Sequence, residues 1–376
     1  MAAISLKCPN CGGELVFDPS TQQYQCPYCL SEFNQEQMDE MQPQDQPSRE
    51  NGTADFGGGS EQAEMMSGNA SRGGYTEEDA EEDTEGQGAA VYTCPSCGAE
   101  IVTDATTAAT FCYYCHNPVV LSGRVSGEYL PKWIIPFSID RKTAENTFLE
   151  NMKKKKFVPR GFFDKKQIET LTGVYFPYWM VNWEGEGRMR ARGTKVRVWM
   201  SGDTEYTETR YYDIYREGDL RFPDMSKNAL KKANRILVES VQPYKGEKAK
   251  PFSIGYLSGF QAEKRDMEKN EFEQEVVQET REYAEKLLRE SAKGYTTVIP
   301  SRTDVRTSRE EWNYAMVPVW VITYKGNNGK MYYYAINGQT GKVCGKLPVN
   351  YGKLGAVSGV ISAAVFLLGL LGGLLI

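Results

Sequence analysis

Residues 8–29 read CPNCGGELVFDPSTQQYQCPYC, and residues 94–115 read CPSCGAEIVTDATTAATFCYYC. Each stretch holds two Cys-x-x-Cys pairs separated by 14 residues, and 11 of the 22 aligned positions are identical at an offset of 86. One small unit is therefore duplicated. Two pairs supply four soft thiolates, Cys8, Cys11, Cys26 and Cys29 in the first unit and Cys94, Cys97, Cys112 and Cys115 in the second. Zn²⁺ accepts such a tetrahedral set without redox change, and four protein ligands leave no position for a reactive water. The expectation is two structural zinc ions, because too few apolar residues lie within 22 to form a core unaided.

Outward from these units the chain changes character. Residues 1–93 carry 3 Lys/Arg against 18 Asp/Glu, whereas the remainder carries 41 against 32, so the net charge of −6 describes neither part. Zinc bound through eight thiolates makes the balance more negative, which speaks against non-specific nucleic-acid binding. Between the units, residues 34–92 hold 15 acidic and 2 basic residues, with Gly57-Gly58-Gly59-Ser60 and the run Glu77–Asp83. Such a composition predicts a disordered acidic linker on which the first unit swings away from the rest. Cysteines that begin at Cys8, with no signal peptide before them, point to the cytosol and to metal rather than disulfides.

At the other end, 23 residues from Leu354 to Ile376 carry no charge and follow Lys342, Lys346 and Lys353. As a helix they span about 34 Å, enough for a hydrocarbon core of about 30 Å. The lysines on the N-terminal side predict a single-pass tail anchor in the cell membrane with residues 1–353 cytoplasmic. Gly355, Gly359 and Ala363, then Gly369 and Gly373, recur every four residues, a face on which a homo-oligomer can pack or simply tolerated membrane glycines.

The expected organisation is α+β: zinc ribbon 1 (1–33), linker (34–92), zinc ribbon 2 (93–125), an antiparallel-sheet-rich domain with helices (126–350) and a transmembrane helix (354–376). Within the domain, Asp140 is expected to cap a helix to about Lys156, and Ser226 one to Val241. A longer helix is expected over Gln261–Lys293. Residues 193–222 predict a meander broken at Ser201-Gly202-Asp203 and Glu217-Gly218-Asp219. A strand is expected near Thr296–Ile299, then a hairpin over Val317–Val343, with Asn337–Lys342 as a further turn. Trp133, Trp179 and Trp320, each two residues after a proline, read as core anchors.

Two basic groups stand out: Lys153–Lys156 with Arg160, Lys165 and Lys166, and the alternating Arg188, Arg190 and Arg192, which a strand would place on one face. The single histidine, His116, removes triad and multi-histidine chemistry, and directly after Cys115 it reads as a surface residue or a neighbour of the metal rather than a ligand. Gly338–Lys342 lacks the spacing of a phosphate loop, and Gly255–Gly259 is one position off a nucleophile elbow with no histidine to serve it. No catalytic constellation and no enzyme is expected. Cys344 reads as a free buried thiol or a juxtamembrane S-palmitoylation site.

The repeated CPxCG…CxYC units resemble zinc ribbons of the general transcription factor IIB type. The whole chain resembles a bacterial family of zinc-ribbon membrane proteins, through YFPYWMV, GTKVRVWMSGDTEYTETRYYDIYREGDL, YLSGFQAEKRD and YYYAINGQTGKVCGKLP. Members are often labelled as the primosomal replication-restart helicase, whose phosphate-loop motifs are missing here. The resemblance implies the eight cysteines as zinc ligands and phage-shock-type envelope-stress proteins or flotillin-like membrane scaffolds as partners. The expected function is thus a membrane-anchored adaptor mediating protein–protein interaction. The alternative is a nucleic-acid-binding ribbon protein of transcription or replication.

Overall fold

The computed structural model describes residues 3–41, 90–163, 168, 170–233, 235–325 and 329–374. The first four-cysteine unit contains β1 (Ala3–Ile4), β2 (Val16–Asp18), β3 (Gln23–Gln25) and β4 (Glu32–Phe33), followed by helix α1 (Gln35–Met41). The second contains β5 (Ala90–Thr93), β6 (Glu100–Thr103), β7 (Thr107–Phe111) and β8 (Pro118–Leu121). Then come β9 (Trp133–Ile134), α2 (Arg141–Lys153), β10 (Thr172–Ser201), β11 (Thr204–Asn228), α3 (Arg235–Ser240), β12 (Lys250–Pro251) and β13 (Gln261–Glu263). The chain continues through α4 (Glu273–Ser291), β14 (Thr297–Lys325), β15 (Met331–Asn337), β16 (Val343–Gly345) and α5 (Tyr351–Leu374). The result is a mixed α+β molecule whose sheet-rich core carries two four-cysteine clusters and one apolar C-terminal helix.

One 11-stranded sheet runs in the order β1-β8-β7-β13-β10-β14-β15-β16, with β11 on β10 and β9 joined to β12 and β14. Its spine is β10, 30 residues or about 100 Å of extended chain, paired with β11 on one side and β14 on the other. Alternation dictates its faces. Met189 and Ala191 are buried under α4, while Arg188, Arg190 and Arg192 share the solvent face as expected. There Arg188 pairs with Glu217 at 2.8 Å, which makes this a solvated strand face. Helix α4 buries Val276, Thr280, Ala284 and Leu288 at every fourth residue. The sheet admits it closely at Gly187, where a Cβ would lie 3.1 Å from Leu288 Cδ1 and 2.5 Å from Leu220 Cδ1.

Asp140 caps α2 by accepting from the Thr143 N–H at 3.0 Å, and Ala144, Phe148 and Met152 form the buried stripe. The Ser201–Thr204 turn, with Gly202 at φ +62°, joins β10 to β11, and Gly341 N–H to Asn337 O closes the later turn. Trp179, Trp183 and Trp320 are buried, Trp133 and Trp312 are half-buried, and Trp199 stacks on Tyr206 near the exposed end of the β10–β11 hairpin.

Three expectations about secondary structure in the body are corrected. Glu217-Gly218-Asp219 is no break: Gly218 pairs with Gly187 inside an unbroken ladder. Ser226 caps nothing, because it lies in β11 opposite Met180, and the next helix starts only at Arg235. The long helix begins at Glu273 rather than Gln261, since Gln261–Glu263 is drawn into the sheet between β7 and β10. Pairing with strands distant in sequence outweighs these local signals.

The expected linker starts at residue 34, but Gln35–Met41 is helical and Ala90–Thr93 is a strand. The acidic run and the glycine stretch lie outside the described residues, as do Lys165 and Lys166. The first unit does not swing free. Leu15, Phe17, Tyr24 and Phe33 belong to the same buried cluster as Phe137, Tyr175, Tyr256 and Trp320.

Candidate metal centres

Each Cys-x-x-Cys pair is shaped by the same backbone knuckle. The N–H of the first cysteine donates to the carbonyl five residues on, Cys8 to Gly13, Cys26 to Ser31, Cys94 to Ala99 and Cys112 to Asn117. Its carbonyl accepts from the residue four on, which is Gly12, Leu30, Gly98 or His116. That fourth residue must turn the chain back, and all four sit at positive φ, between +58° and +76°. His116 is therefore a turn residue, exposed and equivalent to Leu30, and it stands outside the ligand cluster.

The knuckles deliver four sulfurs to one point in each unit. Sγ–Sγ separations are 3.6 Å for Cys8–Cys29, 3.5 Å for Cys11–Cys26, and 3.7 Å for both Cys94–Cys115 and Cys97–Cys112. Within each group all ligand atoms lie within 4.8 Å of one another. A disulfide would need about 2.05 Å. A tetrahedron with Zn–S bonds of about 2.3 Å has edges of about 3.8 Å, so both cages fit a tetrathiolate metal. Cys8, Cys26, Cys94 and Cys112 are buried, whereas Cys11, Cys29 and Cys97 reach the surface.

Four crowded thiols share their protons unequally. Hydrogen bonds from the Ser31 hydroxyl and backbone bring Cys29 down to about 6. Cys11 has a Gly13 N–H contact that lowers it, yet the neighbouring Cys26 and Cys29 sulfurs push it up to about 12. In the second unit burial raises Cys112, but the Cys115 and Tyr114 N–H groups outweigh it and hold it at about 7. Burial and the adjacent sulfurs drive Cys115 to about 12. One thiolate forms readily in each cage, and a cation is needed before all four can ionise together.

The two cages are mounted differently. In the first unit Phe17 meets Tyr256 edge-on at 5.1 Å and Tyr24 at 5.5 Å. Its backbone is tied to the body by Phe17 N–H to Ser258 O at 3.1 Å and by Ser258 Oγ to Leu15 O at 2.5 Å. The second unit is part of the large sheet: β7 pairs with β13, and β13 with β10. Lys232 Nζ clamps Asp104 at 2.6 Å and Glu263 at 2.9 Å. Burial alone would raise the Asp104 carboxyl, but the hydrogen bonds from Lys232 and Thr107 hold it well below the usual carboxylate range.

The units also touch each other. Strand β1 of the first pairs with β8 of the second, and buried Glu14 accepts from both Lys7 and Ser96. Sequence reasoning missed Glu14 and the docking aromatics. Their signal was available as departures from the repeat, since Phe17 and Tyr24 align with Thr103 and Thr110. Cys344 is half-buried on β16 opposite Ala335 and belongs to neither cage.

Helix α5 completes the candidate features. Over Tyr351–Gly369 it is long and apolar enough to cross a membrane, and every described side chain of that stretch is exposed. Asn350 caps it: its Oδ1 accepts from Lys353 N–H at 3.0 Å and its carbonyl from Leu354 N–H at 3.0 Å.

No protein-family model and no solved structure matches the chain. A protein of Bacillus subtilis (strain 168) described as "Uncharacterized protein YdjG" is 31% identical over 364 residues, covering 97% of this chain and 96% of that one. The chain belongs to the family of that protein.

Proposed function

For this member of the YdjG family we propose a membrane-anchored adaptor: a cytoplasmic body that presents two zinc ribbons to partner proteins and is held at the bilayer by α5. The observation that carries the reading is the exposure of α5. A 24-residue apolar helix would be buried in a soluble protein, yet its described side chains lie against solvent. In this reading it is a single-pass anchor, and Lys342, Lys346 and Lys353 on its body side orient the N-terminus to the cytoplasm.

Cys8, Cys11, Cys26 and Cys29 would hold one zinc, and Cys94, Cys97, Cys112 and Cys115 the other. Bound zinc would supply positive charge that lets all four thiols of a cage ionise and cross-links knuckles that have little core of their own. The chain's residues then present rigid, exposed surfaces around each cage, with Tyr28 and Leu30 on the first unit and Tyr113 and Tyr114 on the second. We read these as protein-binding faces and assign no reaction to them. Envelope-stress or scaffold proteins at the cytoplasmic membrane face are the partners we favour, on the strength of the resemblance.

Co-purification from detergent-solubilised membranes tests the reading, comparing the full chain with a Cys94→Ser/Cys97→Ser variant. Membrane or scaffold proteins recovered with the first and lost with the second are expected. Full-length protein that fractionates with soluble cytosol, unchanged by removal of residues 354–376, would contradict the anchor. Recovery of replication or transcription machinery, removed by nuclease, would replace the adaptor with the nucleic-acid reading.

A further inference from the structure

Lys153–Lys156 lie far in sequence from the C-terminal helix, but the fold joins the residue that follows them, Phe157, to the cap of that helix. The N–H of Asn350, the residue that caps α5, donates to the carbonyl of Phe157 at 2.7 Å. Lys156 thus directly precedes the residue on which α5 is hung, and Lys353 lies in the first turn of that helix. Lys346, four residues before Asn350, is within about 14 Å of chain. All six lysines are exposed, and among the described residues none of them forms an ion pair. Favourable interaction with the end of α2 accounts for Lys153 in the last turn and for the cap Lys154. It does not account for Lys155 and Lys156, which continue beyond the helix into the turn beside α5.

From this juxtaposition we propose that Lys153–Lys156, with Lys346 and Lys353, form a collar that binds the anionic headgroups of the bilayer that α5 enters. The inference rests on the membrane reading of α5 and adds a lipid class to it. Charge complementarity names the occupant: six exposed lysines, without an ion pair among the described residues, lie within a few residues of the Phe157–Asn350 bond at which an apolar helix leaves the body. Juxtamembrane lysines are drawn to anionic lipid over distances near one Debye length, about 10 Å at 0.1 M salt. The Asn350–Phe157 bond makes the collar a property of the fold rather than of a local basic run. The collar also pins the body close to the membrane plane, which fixes how far the four-cysteine units stand from it.

The test uses the purified full chain reconstituted into vesicles of phosphatidylcholine alone or of phosphatidylcholine with phosphatidylglycerol. A membrane-impermeant amine-acylating reagent is applied, and the acylation rate of each lysine is read by mass spectrometry. Lys153–Lys156 and Lys353 are expected to react several-fold more slowly in the phosphatidylglycerol vesicles, with the difference lost at high salt. Lys293, exposed beyond the end of α4, should react at the same rate in both. Equal rates at the collar, or equal slowing at Lys293, would overturn the collar. Alkaline carbonate extraction of the same samples separates the two claims. Protein retained in both vesicle types without collar protection refutes the collar alone, whereas protein released from both refutes the anchor and the collar with it.

Discussion

The two four-cysteine units share half of their aligned residues and the same crossed sulfur arrangement, yet they join the body by different means. The first docks through aromatic side chains, Phe17 and Tyr24 against Tyr256. The second has Thr103 and Thr110 at those positions and lends β7 and β8 to the interior of the central sheet, where the first adds only the short edge strand β1. Glu14 is buried between the units, whereas its counterpart Glu100 is exposed. The difference separates what the repeat preserves from what it leaves free. Cysteines and turn residues set the cage, and residues off that frame decide what the cage is attached to.

The largest expected effect sharpens this contrast at the cages. Cys112→Ser should lower the stability of the whole body by more than about 4 kcal/mol, because loss of the second metal also disorders strands that belong to its sheet. Cys26→Ser should lower it less, since the β10–β13–β7 path does not pass through the first unit. Thermal unfolding followed by fluorescence of the buried Trp179 and Trp320 reports the body, and equal shifts for the two variants would erase the distinction. Next in size, Tyr24→Thr gives the first unit what the second has at Thr110 and should cost about 3 kcal/mol by removing a buried ring. Its signature is faster hydrogen exchange at the Phe17 amide with the bound-metal content unchanged; unchanged exchange would mean the aromatic contacts do not hold the unit.

The smallest effect probes the polar mounting of the second unit. Asp104 is half-exposed, so Asp104→Asn should cost about 0.5–1 kcal/mol, the value of a surface pair. Because folding depresses this carboxyl, its stabilising contribution is complete above the unfolded value of about 4 and is lost as pH falls through the lower folded value. The deficit of the variant should therefore stay constant between about pH 5 and 8, where both states carry the charge. A deficit that does not shrink as pH falls below about 4 would show that Asp104 is not held low by Lys232.

The cages were legible from the sequence because their determinants are local: ligand spacing and a turn residue after each second cysteine. The cap at Asp140 and the apolar end at 354–376 were legible for the same reason. What escaped was decided by distant partners. Gly218 signals a turn, but Gly187 and the rest of β10 hold it in a ladder. Gln261–Glu263 has a helical pattern downstream, yet β7 and β10 claim it as a strand. Acidic composition between the units suggested a free first unit, while Tyr24 and Tyr256, far apart in sequence, meet in one core. His116 illustrates the reverse. Its position beside Cys115 left it as a surface residue or a neighbour of the metal, and its exposure and the left-handed turn it shares with Gly12, Leu30 and Gly98 account for it as a surface turn residue.

The central claim is that both cages are closed tetrathiolate zinc sites that organise the body. Zinc X-ray absorption of the purified full chain, combined with metal content, tests it most directly. The account predicts two zinc ions per chain, each with four sulfur neighbours at about 2.3 Å and no lighter ligand. Fewer than two ions, or an oxygen or nitrogen neighbour in the shell, would contradict it.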